Sequence, residues 1–212
     1  MSPWLNLLIG LAMGLNLIAL ASSRLPSLIR SAAVQGLVLG TLPLLLGHGG
    51  WMTVLFAVCT VSVKGLLIPA LLERALRAAH ADREVQPLVG YVPSLLLGAA
   101  AMIASVALAD ALPLRAEHAG SLLVVGAFST VFSGLLLLIG RAKAIAQVCG
   151  YLILENGIYL FGLLLIRATP LIVEAGILLD LTVAIFVIGI IMDRIQREFD
   201  TLDTRKLTAL RE

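Results

Sequence analysis

Residues 149–165 read CGYLILENGIYLFGLLL, an apolar run with a carboxylate, Glu155, and a neighbouring amide, Asn156, near its middle. Extended to residues 144–166, the run is long enough to cross a hydrocarbon core about 30 Å thick. A charge at that depth is costly and by default indicates a functional site. The stretch therefore predicts a membrane-spanning helix whose glutamate needs an explanation.

The whole chain has the composition of a membrane protein. Of its 212 residues, 60% are hydrophobic and 13% are charged, and the mean hydropathy is +1.05. A soluble domain is about half apolar and about a quarter charged. We therefore expect an all-α polytopic protein with a single transmembrane domain over residues 1–192 and a charged tail over 193–212. Seven apolar segments of spanning length are predicted, at about 3–22, 27–47, 51–73, 90–110, 120–140, 144–166 and 170–192.

The distribution of basic residues predicts the orientation. The first, third and fifth loops and the tail carry twelve Lys and Arg residues, whereas the other loops carry two, Arg115 and Arg167. Cytoplasmic loops have an excess of Lys and Arg. The N-terminus is therefore expected outside and the tail in the cytoplasm, which an odd number of helices satisfies.

Two further patterns concern packing. Predicted helices 1–3 and 5–7 each have basic residues in the first loop, a short second loop and one charge in the third helix, Lys64 or Asp180. This order suggests a parallel three-helix repeat, as in some transport proteins. The motifs GLAMG (10–14) and GLVLG (36–40) place small residues four apart, which favours close contact between helices.

Three charged residues are candidates for an ion path. Glu155 lies about 17 Å into helix 6 and Asp180 about ten residues into helix 7, so both are near the middle of the bilayer. A short turn joins these two helices, which makes them antiparallel neighbours with carboxylates at similar depth. Lys64 is the third candidate, and an ion pair with either carboxylate is open. Glu174 falls in the first turns of helix 7 and is expected to be structural.

Sequence alone leaves the role of these charges open. A hydrated ion path is favoured because other polar residues that could support it also occur in the predicted membrane helices, namely Asn156, Tyr151 and Gln35. The charges could instead be buried pairs that only set helix packing. They could also contact the polar residues of a partner subunit.

Motifs for catalysis by this chain are absent from the sequence. It has no Gly-rich phosphate loop, no metal-ligand cluster and no nucleophile–base pairing, and its three histidines (His48, His80 and His118) fall in predicted loops. The tail mixes both signs of charge and is not a nucleic-acid patch. We therefore expect no catalytic residue, no metal and no cofactor on this chain, and the lipid bilayer as its immediate surroundings.

These segments resemble a known family. GYLILENGIYL after GRAKAIAQVC, then ATPLIVEAGILLDLTVAIFVIGI and the ending TLDTRKLTALRE, are similar to hydrogenase-4 component E, and SVKGLLIPALL around Lys64 agrees with this. Helices 5–7 also resemble subunit K of proton-pumping NADH:quinone oxidoreductase and the related component C of Mrp-type antiporters. Asp180 matches the second glutamate of subunit K, whereas Glu155 lies about one turn beyond the first.

The resemblance implies a subunit of the membrane arm of a group 4 [NiFe] hydrogenase, such as a formate hydrogenlyase, in the bacterial or archaeal plasma membrane. It implies that the chain bridges antiporter-like subunits to the hydrogenase-proximal membrane subunit. The NiFe centre and the iron–sulfur clusters would belong to partner subunits. A structural scaffold and an Mrp-like cation antiporter component are the alternatives.

Overall fold

The computed structural model describes residues 3–45, 51–78, 85, 87–112, 122–165 and 189. Apart from short connections, these residues are helical. The helical elements are α1 (Pro3–Ala21), α2 (Leu25–Gly40), α3 (Leu42–Leu45), α4 (Trp51–Thr60), a π-helical segment (Val61–Leu67), α5 (Ile68–Ala78), α6 (Tyr91–Ala111), α7 (Leu122–Gly140) and α8 (Ala144–Leu165).

Six stretches in this part of the chain are long and apolar enough to cross a membrane. The second joins α2 to α3, and the third runs from α4 through the π-helical segment into α5. The all-α polytopic membrane fold is therefore confirmed. The predicted seventh helix (170–192) and the tail (193–212) lie outside the described residues except for Gly189, so the count of seven and the three-helix repeat stay predictions.

Prolines shape the second span. Pro26 lies in the first turn of α2, where a missing N–H leaves no intrahelical hydrogen bond unmade. Pro43 cannot donate to the carbonyl four residues earlier, and the helix is interrupted at Thr41. The Thr41 hydroxyl donates to the Val38 carbonyl at 2.7 Å, which satisfies one acceptor at this break.

Another proline accounts for the π-helical segment in the third span. Pro69 has no N–H to donate to the Gly65 carbonyl. The preceding N–H, that of Ile68, donates five residues back to Val63, which is the π pattern. Such local widening of a helix is frequent at functional sites. Lys64 lies within it.

One end of the bundle is held together by its loops. The Val85 N–H donates to the Ser23 carbonyl at 2.8 Å, and the Leu88 N–H donates to the Gly140 carbonyl at 2.9 Å. These contacts join the first, third and fifth loops, the ones in which the sequence concentrates Lys and Arg. The loops predicted on the cytoplasmic side therefore lie at one end of the molecule.

Glycines allow backbones to approach closely at two contacts that position the site. A Cβ added to Gly36 would lie 2.9 Å from the Lys64 Cβ, so α2 packs directly on the π-helical segment. A Cβ added to Gly157 would lie 2.6 Å from the Val131 backbone nitrogen, so α8 packs equally closely on α7. By contrast, no described atom comes within 4 Å of a Cβ built on Gly10.

Candidate intramembrane polar site

Lys64 and Glu155 form an ion pair inside the helix bundle. The Lys64 Nζ lies 3.2 Å from the Glu155 Oε1, and the two side chains are 7% and 2% exposed. Each residue lies about 17 Å along its span, counted from Thr53 and from Ala144. The pair is therefore near the middle of both spans, shielded from the surroundings of the bundle.

Two neighbours of Lys64 stabilise its positive charge further. The Asn156 Oδ1 accepts a hydrogen bond from the Lys64 Nζ at 3.4 Å. The Tyr159 ring centroid is 5.5 Å from the same nitrogen, within the range in which an aromatic face attracts a cation. Glu155, Asn156 and Tyr159 all belong to α8, so this helix provides the surroundings of the ammonium group.

A series of buried amides continues from the ion pair. The Asn156 Nδ2 donates to the Gln35 Oε1 at 3.1 Å, and the Gln35 Nε2 donates to the Asn16 Oδ1 at 2.7 Å. The Asn16 Nδ2 donates to the Thr130 hydroxyl at 3.0 Å. All four side chains are buried. We call Asn156, Gln35 and Asn16 the amide chain. It links the ion pair to the contact between α1 and α7.

The chemistry of the ion pair differs from that of the amide chain. Lysine and glutamate side chains can gain and lose protons, whereas a side-chain amide keeps its two N–H donors and its acceptor oxygen. Among the described residues, Lys64 and Glu155 are the buried charged side chains within the spans. The amide chain can orient and stabilise this pair but does not itself exchange protons.

The structure unites some of the residues singled out in the sequence. Lys64, Glu155, Asn156 and Gln35, which lie on three different spans, meet at one site. Tyr151 is half-buried and packs against an apolar cluster. Asp180 and Glu174 lie outside the described residues, so their predicted positions in helix 7 stay predictions.

Sequence reasoning missed Asn16, Thr130 and Tyr159. Asn16 and Thr130 are uncharged, lie 114 positions apart and belong to no motif. The available signal was an uncharged polar residue deep in an apolar helix, where such groups tend to bond to a neighbouring helix. Tyr159 is one turn beyond Glu155, a spacing that places both on one helix face.

Arg141 is one of the twelve Lys and Arg residues that the sequence places in loops and the tail. In the structure its side chain is buried. Its Nη2 donates to the Leu20 carbonyl at 2.6 Å and its Nη1 to the Val89 carbonyl at 3.0 Å. The guanidinium carbon lies 5.3 Å from the Tyr91 ring centroid. Burial lowers the pKa of Arg141, and Tyr91 partly opposes this. Arg141 therefore ties the end of α1 to the loop before α6.

No group of three His, Cys, Asp or Glu residues that could hold a metal ion occurs in the described part of the chain.

Curated relatives align with most of the chain. An uncharacterized protein of Mycobacterium tuberculosis is 36% identical over 191 residues, which cover 89% of this chain and 87% of that protein. Hydrogenase-4 component E of Escherichia coli (strain K12) is 30% identical over 150 residues, 70% of this chain and 68% of that protein. The protein of the same name from Shigella flexneri matches to the same extent. No family model matches the chain, and no solved structure does.

Proposed function

Since this chain belongs to the hydrogenase-4 component E family, we propose that it is a membrane subunit of a hydrogenase-type complex in the bacterial or archaeal inner membrane. Hydrogen chemistry, the NiFe centre and the iron–sulfur clusters would then belong to partner subunits. The chain would lie between antiporter-like subunits and the hydrogenase-proximal membrane subunit, with its N-terminus outside and its tail in the cytoplasm.

Within that complex, the chain contributes to a proton or sodium path coupled to the redox reaction. The observation that carries this proposal is the ion pair of Lys64 and Glu155 at 3.2 Å, buried near mid-span. Charges at this depth are rare in membrane helices and occur along ion pathways and proton relays. Asp180, predicted at similar depth in the adjoining helix, is the next carboxylate on the proposed path.

The alternative is a scaffold, in which the same charges only hold helices or subunits together. A buried ion pair is weak evidence for net stabilisation, since apolar residues of similar volume often do as well. The two functions therefore differ in what a neutral substitution does. In a path, it blocks ion movement in an assembled complex. In a scaffold, it affects assembly alone.

The test compares Glu155→Gln, Asp180→Asn and a control, Glu73→Gln, in the complete complex in membrane vesicles. Glu73 is an exposed carboxylate paired with Arg77 on the same span as Lys64. Hydrogen turnover is measured together with proton movement, by a pH-sensitive dye, and sodium movement, by radioactive sodium uptake. We expect Glu155→Gln and Asp180→Asn to assemble and to lose ion movement per hydrogen turned over, whereas Glu73→Gln behaves as wild type.

Intact assembly and turnover with unchanged ion movement in Glu155→Gln would eliminate the path, whereas lost assembly would point to the scaffold. The partners are tested by affinity purification of the tagged chain from its native membrane. Recovery of hydrogenase large and small subunits is the expected result. Recovery of Mrp-type antiporter subunits without any hydrogenase would contradict the proposal and point to a cation antiporter.

A further inference from the structure

The amide chain has a single direction of donation. Starting at Lys64, each group donates to the next: Lys64 to Asn156, Asn156 to Gln35, Gln35 to Asn16 and Asn16 to Thr130. A side-chain amide can be turned around, which exchanges its donor and its acceptor. A common donor direction along all three amides therefore requires neighbouring groups that select one orientation of each amide.

Two groups favour the same direction. The Lys64 ammonium has donors only, so the Asn156 oxygen must face it. The Ala12 carbonyl has acceptors only, and the Gln35 Nε2 donates to it at 3.2 Å. Reversal would bring the Asn156 amino group against the ammonium and the Gln35 oxygen against the Ala12 oxygen. Both anchors therefore select the same orientation of the three amides.

The amide chain is also shielded from solvent. Asn16, Gln35 and Asn156 are 0%, 1% and 2% exposed. With water excluded, the orientation of one amide decides which partners remain for the next, and successive hydrogen bonds in a buried network strengthen one another. We therefore expect loss of the Lys64 donor to weaken the hydrogen bonds that lead to Thr130.

We propose that Gln35 and Asn16 are positioning residues for Lys64, which act through Asn156, and that the amide chain is a relay that couples the Lys64–Glu155 pair to the α1–α7 contact at Thr130. The relay deepens the proposed function, and rests on it, because it specifies which residues position the charged pair and which helix contact responds to a change in that pair. Its physical test does not require ion movement.

The test is a double-mutant cycle between the two ends of the relay. Lys64→Met removes the donor at one end, and Thr130→Val removes the acceptor at the other end while keeping the branched shape. Unfolding of the full-length chain is titrated with sodium dodecyl sulfate in mixed micelles and followed by circular dichroism. Two residues that are not in contact and share no network usually have effects that combine independently.

We expect the two substitutions to depart from independence by roughly threefold or more in the unfolding equilibrium constant. Thr130→Ser keeps the acceptor and should behave as wild type in the same cycle. Ser105→Ala is the matched control: Ser105 is fully buried, but its hydroxyl donates to Ala101 in its own helix at 2.6 Å. Its effect should combine independently with Lys64→Met.

Independent effects of Lys64→Met and Thr130→Val would overturn the relay. If Lys64→Met does not fold, Asn156→Ala is used in its place. This substitution interrupts the amide chain one step later, and the relay predicts the same coupling for it. Failure of the relay can be distinguished from failure of the proposed function. Coupling together with unchanged ion movement in Glu155→Gln leaves the relay standing and removes the ion path, and the converse result does the opposite.

Discussion

Gly157 allows a quantitative test of how α8 is positioned against α7. A Cβ at this position would lie 2.6 Å from the Val131 Cγ2, 2.6 Å from the Val131 nitrogen and 3.0 Å from the Ala127 carbonyl oxygen. Two of these three atoms are backbone atoms, which cannot rotate out of the way. Gly157→Ala can therefore be accommodated only if the two helices separate.

The size of the effect follows from two opposing terms. Overpacking of a close contact costs about 1–3 kcal/mol, and a contact with backbone belongs at the upper end of that range. Replacing glycine by alanine within a helix stabilises the helix by at most about 1 kcal/mol. We expect Gly157→Ala to lower the free energy of unfolding by about 2 kcal/mol. Because Glu155 and Asn156 directly precede Gly157, ion movement should also fall.

The control is Gly10→Ala, which adds the same methyl group to an exposed position with no described atom within 4 Å. Only the helix term then applies, so the free energy of unfolding should stay unchanged or rise by up to about 1 kcal/mol. Both variants are measured by titration with sodium dodecyl sulfate in mixed micelles. If Gly157→Ala proves as stable as Gly10→Ala, the inferred backbone contact is refuted.

Three further perturbations follow from the structure. Lys64→Met alone should lower the free energy of unfolding by about 3–5 kcal/mol because it removes the ammonium that lies against a buried carboxylate, whereas Lys64→Met with Glu155→Met should restore most of the loss; equal losses would contradict this reasoning. Arg141→Lys should cost about 1.5–3 kcal/mol, since lysine can reach only one of the two carbonyls; an unchanged unfolding titration would argue against both bonds. In a cysteine-free background, an impermeant maleimide added to intact cells should label Ala111→Cys but not Ser23→Cys; the reverse pattern would invert the proposed orientation.

The fold was predictable because its signal is local. Each membrane-spanning segment is a predominantly apolar run of about the length that the bilayer requires, and six such stretches occur in the described chain. The third span differs from its predicted range. The apolar run predicts an end near residue 73, but α5 continues to Ala78. The additional turn is stabilised by the Glu73–Arg77 pair at 3.4 Å, four residues apart on an exposed face.

The site was only partly predictable, since its uncharged members leave little trace in the sequence. Lys64 and Glu155 are conspicuous because charge in an apolar run is costly. Pro69 explains the π-helical segment that contains Lys64. Predicting this segment, however, requires assigning every backbone hydrogen bond in the turn, which the sequence pattern does not provide. Asn16 and Thr130 meet only after α1 packs on α7, so their bond depends on tertiary contacts that no local pattern contains.

The division between exchangeable and fixed groups constrains any proton path through this protein. Lys64 and Glu155 are the two buried charged groups in the described spans, and the amides next to them hold their hydrogens. A proton that reaches the pair therefore cannot leave along the amide chain. It must leave through water or through another titratable side chain. Asp180, predicted at similar depth in the next helix along the sequence, is the carboxylate that the sequence offers for that step. Asp180→Asn should therefore stop proton movement while leaving the Lys64–Glu155 pair and its amide chain intact.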